Sequence, residues 1–373
     1  MNIGIMSMQR VINYGSYLQA HGLKSVLESM GHQVQFVDYQ IEPPLVQESV
    51  PSSGKKYCTK AVNAAKMLSP HYRQWRRDQI RSNQTCTEFH HTFLNSYLPV
   101  LGVTEQRNER PELDALVIGS DEVFNCTQAN QMVGYSRELF GADNHARKLI
   151  SYAASFGSTT LEKLKKYGIQ DEVADYLSAF DGLSLRDENS LDIVSTLCGI
   201  QGSYNIDPVL LYDFPEVDSI SVDLKDYIVV YAYAGRIKDE EAEVIRKFAH
   251  EKNKKLISLG YWQTFCDDYV AASPLEVLAY IRNADYVITD TFHGSVFSIK
   301  YQKKFGTIVR SSNQQKLMDL LNQFDLGNHQ ITQLDQLPAV VEQDIDRAHV
   351  LDLLHQKQAL AMKYLCEKLP QEG

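Results

Sequence analysis

The six cysteines (Cys58, Cys86, Cys126, Cys198, Cys266, Cys366) are scattered over 373 residues, with no CxxC pair and no metal-like spacing. They read as reduced, mostly buried thiols of a cytosolic protein. The 11 histidines form neither HxH nor HExxH, and the adjacent His90 and His91 would point to different sides of a helix or strand. No metal site is expected from such a set. Neither GxGxxG nor GxxxxGK[ST] occurs, which leaves a standard dinucleotide or NTP loop without support. No run approaches the ~20 apolar residues of a membrane span. The opening MNIGIMSMQR lacks the apolar core of a secretory signal. Positive charge is the minority: 37 Lys+Arg against 47 Asp+Glu give −10, a poor footprint for nucleic acid. Internal repeats and low-complexity segments are also missing.

What is present is core material. The chain is 44% hydrophobic, and its length predicts two domains, since one core rarely grows past ~250–300 residues. Strand patterns rich in Val, Ile and Tyr fall at 2–8, 33–39, 113–119, 148–155, 182–185, 227–233, 255–260, 286–289 and 305–309. Several are apolar almost without alternation, as strands covered on both faces are. Helical patterns lie between them at 15–30, 161–179, 239–252, 274–284 and 315–324. The fourth opens on a capping box, with Ser273, Pro274 and Glu276 in their expected places. This alternation predicts an α/β fold of two Rossmann-like domains facing a cleft. The first domain spans 1–205, with a basic, mostly helical insertion near 43–111. The second spans 206–345, and a helix over 346–373 is expected to pack back on the first. The insertion holds Lys55, Lys56, Lys60, Lys66, Arg73, Arg76, Arg77 and Arg81 around Trp75, against one acid, Asp78. Two readings stand for it: a solvated helical face, or contact with an anionic membrane surface or a lipid-linked substrate.

In open parallel sheets, ligands bind beyond the carboxyl ends of strands. Four stretches sit at such ends. Asn13, Tyr14 and Gly15 turn the chain into a helix. Gly119-Ser120-Asp121 closes an apolar strand. Arg186 follows the strand at 182–185. His293 and Gly294 stand where the strand at 286–289 passes into an apolar helical segment. A helix N-terminus attracts anions, Gly294 removes a side chain that would crowd one, and an imidazole exchanges protons near neutral pH. Arg186 offers a fork suited to carboxylate or phosphate. Each residue also has an ordinary reading. His293 can be a buried histidine satisfied by a carbonyl, and Arg186 can pair with Asp187 or Glu188. Asp121 can be a helix cap, and Asn13 a turn former.

In this order NYGSYLQAHGL, IGSDEVFN, SLRDENS, DPVLL and ADYVITDTFHGSVFSI resemble the polysaccharide pyruvyl transferase family. The resemblance runs over roughly residues 1–326, with YVITDTFHGSVFSI its most specific part; 43–111 and the tail after about 329 lie outside it. It implies a fold similar to the two-domain GT-B arrangement. It also implies transfer of a pyruvyl group from phosphoenolpyruvate to hydroxyls of a sugar, forming a ketal, with no cofactor beyond that co-substrate. The acceptor is then a cell-surface polysaccharide or its lipid-linked precursor, and the protein is cytoplasmic or peripheral at the inner face of the membrane through residues 55–81. The resemblance makes His293 and Asp121 the catalytic candidates. It assigns Arg186, Asn13, Tyr14, Gly15, Gly294, Ser295 and Arg310 to substrate binding, with Lys316 a weaker second clamp. Tyr135, Tyr261 and Trp262 are candidate sugar platforms. A GT-B glycosyltransferase using a nucleotide sugar, with Asp267 or Asp268 in its cleft, is the competing enzyme reading. A non-catalytic saccharide-binding relative is the third. Nothing in the pattern fixes an oligomeric state.

Overall fold

The computed structural model of the chain describes residues 1–46, 70–310 and 313–371. Lys55, Lys56, Lys60 and Lys66 of the basic segment therefore lie outside the described residues. Two six-stranded sheets form the frame, and every strand pairing is parallel. The first runs β2-β1-β3-β4-β5-β6, from β1 (Asn2–Met6), β2 (Gln33–Phe36), β3 (Ala115–Asp121), β4 (Lys148–Ala154), β5 (Ser184–Leu185) and β6 (Ser203–Tyr204). The second runs β12-β11-β10-β7-β8-β9, from β7 (Tyr227–Ala232), β8 (Lys255–Gly260), β9 (Asp268–Val270), β10 (Tyr286–Thr289), β11 (Lys304–Ile308) and β12 (Gln330–Ile331). β3 and β7 are buried at every position, as helices on both sheet faces require.

The main helices are α1 (Tyr14–Ser29), α2 (Pro70–Thr92), α3 (Leu161–Tyr167), α4 (Gln170–Ser178), α5 (Glu188–Cys198) and α6 (Pro208–Leu211) in the first part of the chain, with one further turn at Leu98–Leu101. In the second they are α7 (Asp239–Glu251), α8 (Pro274–Asn283), α9 (Phe292–Lys300), α10 (Gln314–Asn322), α11 (Leu337–Glu342) and α12 (Arg347–Lys368). The single helix expected over 161–179 is two. Gly168 takes φ 67 and closes α3 with a left-handed cap, a conformation that glycine adopts without a Cβ clash. The capping box at Ser273 and Glu276 forms, with both reciprocal bonds present. α12 returns to the first domain: Tyr364 donates to the Ser151 carbonyl at 2.9 Å, and Lys148 Nζ to that of Lys368 at 3.0 Å.

α2 carries Arg73, Arg76, Arg77 and Arg81, and the Arg81 guanidinium lies 4.5 Å from the Trp262 ring centroid of the second domain. No helix among the described residues is long and apolar enough to cross a membrane. Each sheet reverses its strand order once, between β1 and β3 in the first and between β10 and β7 in the second. Crevices open at such switch points, and here the two face each other.

Candidate active site

At the first switch point, β1 leads into α1 through Asn13. The Asn13 side chain accepts from Ser16 N at 2.7 Å and caps the helix. At the second, β10 leads into α9 through Asp290 and Thr291, and Thr291 Oγ1 accepts from Gly294 N at 2.9 Å. The two helix starts touch. A Cβ built on Gly15 would lie 2.2 Å from His293 Nδ1. Gly15 is thus the surface on which the imidazole rests.

Asp121 ends β3 at φ 82, a left-handed conformation that an aspartate rarely adopts. Its carboxylate accepts from Ser16 Oγ at 2.9 Å and from Arg186 Nη2 at 3.0 Å. Arg186 Nη1 donates to Asp207 Oδ2 at 2.8 Å, and Asp207 caps α6. All three residues are buried. Asp207 Oδ2 also lies 3.7 Å from His293 Nε2, a buried nitrogen with no hydrogen-bond partner among the described residues. Burial pushes the imidazole below its ordinary pKa, against the pull of Asp207 and Asp121. Burial would raise Asp121, but Arg186, His293 and the Ser16 bond outweigh it and hold the carboxyl at about 2.

With Asp207 behind them, Ser16, Asp121, Arg186 and His293 line a cleft of about 220 Å³. Its far wall is the loop after β7, with Tyr233 and Arg236. Arg236 Nε sits 3.0 Å from Asp290 Oδ2, its one ionic partner among the described residues, and its side chain is 31% exposed against 3% for Arg186. Lys316 reaches across the cleft to Glu122 in a close ion pair.

His293, Asp121, Arg186 and Asn13 all line the cleft. Other expected residues are placed elsewhere. Tyr14 is buried and donates to the Ala272 carbonyl at 2.5 Å, joining the domains. Gly294 leaves no room for an anion: its N–H is already capped, and a Cβ there would meet Thr289 Oγ1 at 2.1 Å. Its role is close packing of α9 on β10. Ser295 spends its hydroxyl on the Thr291 carbonyl and Thr307. Arg310 grips Glu241 with both Nη atoms and donates to the Arg236 carbonyl at 3.0 Å, bracing the β7 loop from behind. The partners of Arg186 are Asp121 and Asp207, not Asp187 or Glu188, because Asp187 turns to cap α5.

Asp121 caps no helix. Tyr135 bonds Glu172 within the first domain, and Tyr261 lines a separate aromatic void. Asp267 accepts from Leu256 N, and Asp268 begins the edge strand β9. Arg236, Asp290 and Asp207 are the residues that sequence reasoning did not single out. Asp207 lay inside the quoted DPVLL and Asp290 inside TDTFHG. Arg236 follows the end of β7, where the strand-end rule, applied once more, would have found it.

The family model that matches residues 13–312 is described as polysaccharide pyruvyl transferase. Among curated proteins none matches the chain. Solved structures similar to it include S. aureus MnaA with UDP, at 8% identity, 100% of this chain and 99% of that one, and TM-score 0.46. Another is the α,α-trehalose 6-phosphate synthase of Burkholderia multivorans, at 9%, 99% and 98%, and 0.47. A third is the Methanocaldococcus jannaschii UDP-GlcNAc 2-epimerase complex, at 11%, 96% and 94%, and 0.45.

Proposed function

The chain belongs to the polysaccharide pyruvyl transferase family, transferases acting on polysaccharide, and from that premise we propose that it moves a pyruvyl group from phosphoenolpyruvate onto hydroxyls of a sugar and closes a pyruvate ketal. The observation that carries the reading is His293: a buried imidazole with an unpartnered Nε2, set where two switch points meet and flanked by Arg186, Arg236 and Lys316.

The donor is a carboxylate and a phosphate on three carbons, and both anions need N–H partners. Arg186 has both Nη atoms tied to carboxylates, so its part is to hold the floor of the site. Arg236 faces the cleft with one ionic partner and is the better anion clamp, with Lys316 opposite. Burial lowers the pKa of His293; the anions of the donor raise the local negative potential and let the imidazole take up a proton. It then delivers that proton to the donor methylene carbon. The neighbouring carbon becomes cation-like and an acceptor hydroxyl bonds to it. The carbon–oxygen bond to phosphate breaks, and a second hydroxyl closes the ketal. Of the two hydroxyl protons released, one is balanced by the new methyl group and the other leaves with phosphate. Asp121, held at about 2, is too weak a base to take either at neutral pH. Its role is to fix Ser16 and Arg186. No cofactor beyond the donor enters this scheme. Holding two substrates in one cleft supplies much of the rate.

Incubation with phosphoenolpyruvate and a panel of lipid-linked or aryl glycosides tests the proposal. An acceptor should gain the mass of pyruvate less water, with one phosphate released. Stabilisation by UDP- or GDP-sugars but not by phosphoenolpyruvate would overturn it. His293→Gln should lose transfer while keeping its melting temperature; wild-type turnover in that variant removes His293 from the mechanism.

A further inference from the structure

Two cavities share lining residues with the cleft. One is the aromatic void beside Tyr14, Phe89 and Tyr261, about 10 Å³, which holds at most one water. The other, on the far side of Asn313 and Lys316, is a groove of about 490 Å³ between the domains, within the size range of ligand pockets. We propose that this groove binds the sugar residues of the acceptor that lie beyond the one being pyruvylated. The inference rests on the saccharide acceptor of the function proposed above and names where the rest of that acceptor lies.

The first domain supplies one wall, with Ser158 ahead of α3 and Asn189 and Asp192 on the first turns of α5. The second domain supplies the other, with Gln314 and Gln315 at the start of α10. No Val, Leu, Ile, Met or aromatic side chain lines it, a poor lining for a lipid tail. Two cations, Lys163 and Lys316, stand against two anions, Glu188 and Asp192, and the balance does not suit a polyanion.

What the groove offers is unused hydrogen-bonding capacity. Asn189 donates Nδ2 to the Thr159 carbonyl at 2.9 Å, leaving Oδ1 open. Gln315 donates Nε2 to Asp319 at 3.2 Å, leaving Oε1. The Asp192 carboxylate, the Gln314 amide and the Ser158 hydroxyl make no side-chain hydrogen bond among the described residues. Acceptors and donors thus line both walls, as a chain of sugar hydroxyls, each donor and acceptor, requires. Asn313 and Lys316 line both the cleft and the groove, so an acceptor whose reacting sugar sits in the cleft would lay the rest of its glycan along the groove.

The test uses glycosides of one to four sugars with the full-length protein. For the wild type, the acceptor KM should fall as the glycoside lengthens. Asn189→Ala with Asp192→Ala should raise the KM of the longest acceptor about tenfold, the loss of one or two net hydrogen bonds. The KM values of the single-sugar glycoside and of phosphoenolpyruvate should not change. Gln315→Ala, on the opposite wall, should act in the same way, and circular dichroism reports whether each variant folds. In parallel, hydrogen exchange with the oligosaccharide alone should show protection at 157–163 and 188–192. A wild type that transfers pyruvate with no dependence on acceptor length would overturn the groove and leave the reaction standing. One that shows the protection but transfers nothing would overturn the reaction and leave the groove. Variants that keep the wild-type length dependence would also overturn the groove.

Discussion

Gly15 shows how one missing side chain sets a site. The imidazole of His293 occupies the space that a Cβ at this position would fill, at 2.2 Å from Nδ1. His293 is buried and its ring also faces Phe292 and Phe297, so it cannot retreat without disturbing α9. Gly15→Ala should therefore displace the ring from its position 3.7 Å from Asp207. Overpacking of this kind costs about 1–3 kcal/mol of stability. The greater effect should be on turnover, because a proton carrier moved by about 1 Å can lose on the order of a hundredfold in rate. Parallel measurement of kcat and melting temperature checks this. Wild-type kcat in a folded Gly15→Ala protein would show that the ring position does not matter. Arg310 makes the complementary point. It follows a strand end, as an anion clamp should, yet it is spent on Glu241 and on the carbonyl of Arg236. Position along the chain could not reveal that.

At the scale of elements, the start of α5 gathers three carboxylates. Asp187 caps the helix, Glu188 follows, and Asp319 of α10 reaches over from the second domain to accept from Glu188 N at 3.2 Å. Burial, then Asp187 and Glu188, push Asp319 up to about 6. An acid raised above its unfolded value, about 3.9, favours the folded state at low pH. That contribution is lost as pH rises toward 6. At neutral pH the ionised Asp319 thus opposes the fold. Asp319→Asn keeps an acceptor for Glu188 N and should stabilise the protein at pH 7.5 by about 1 kcal/mol. The gain should shrink toward pH 4.5. Urea titrations at both values check it; an equal gain at each would dissociate the effect from ionisation. Legibility differs among elements for physical reasons. The strands β3, β7, β8 and β10 showed in the sequence because helices cover both faces, which leaves unbroken apolar runs. β6, β9 and β12, of two or three residues, are too short to carry a period. The break at Gly168 was missed because the apolar spacing continues across it. The strand-end rule brought out Asn13, Asp121, Arg186 and His293, which do line one cleft. It could not tell which carboxylates Arg186 would meet, since these lie 65 and 21 residues away along the chain.

At the scale of the molecule, the two sheets share one interior between them, while the far face of each packs a core of its own. One apolar cluster holds Ile3 and Leu18 of the first domain, Tyr231 and Phe297 of the second, and Leu365 and Leu369 at the end of the chain. Polar struts cross the same seam: Tyr14 to the Ala272 carbonyl, and Glu188 N to Asp319 Oδ2 at 3.2 Å. Relative motion is the default for domains with small polar interfaces, and a large apolar one removes it. The cleft is therefore preformed, and the molecule should unfold as one unit. Calorimetry should show a single transition whose van't Hoff and calorimetric enthalpies agree. Leu365 is fully buried on α12, the helix that ties the end of the chain to the first sheet. Leu365→Ala should cost about 2–5 kcal/mol and lower that one transition without splitting it. If instead the trace separates and only one peak moves, the two domains fold independently. The cleft would then owe its shape to a ligand, and the orphaned Nε2 of His293 would report an open state rather than a site already assembled.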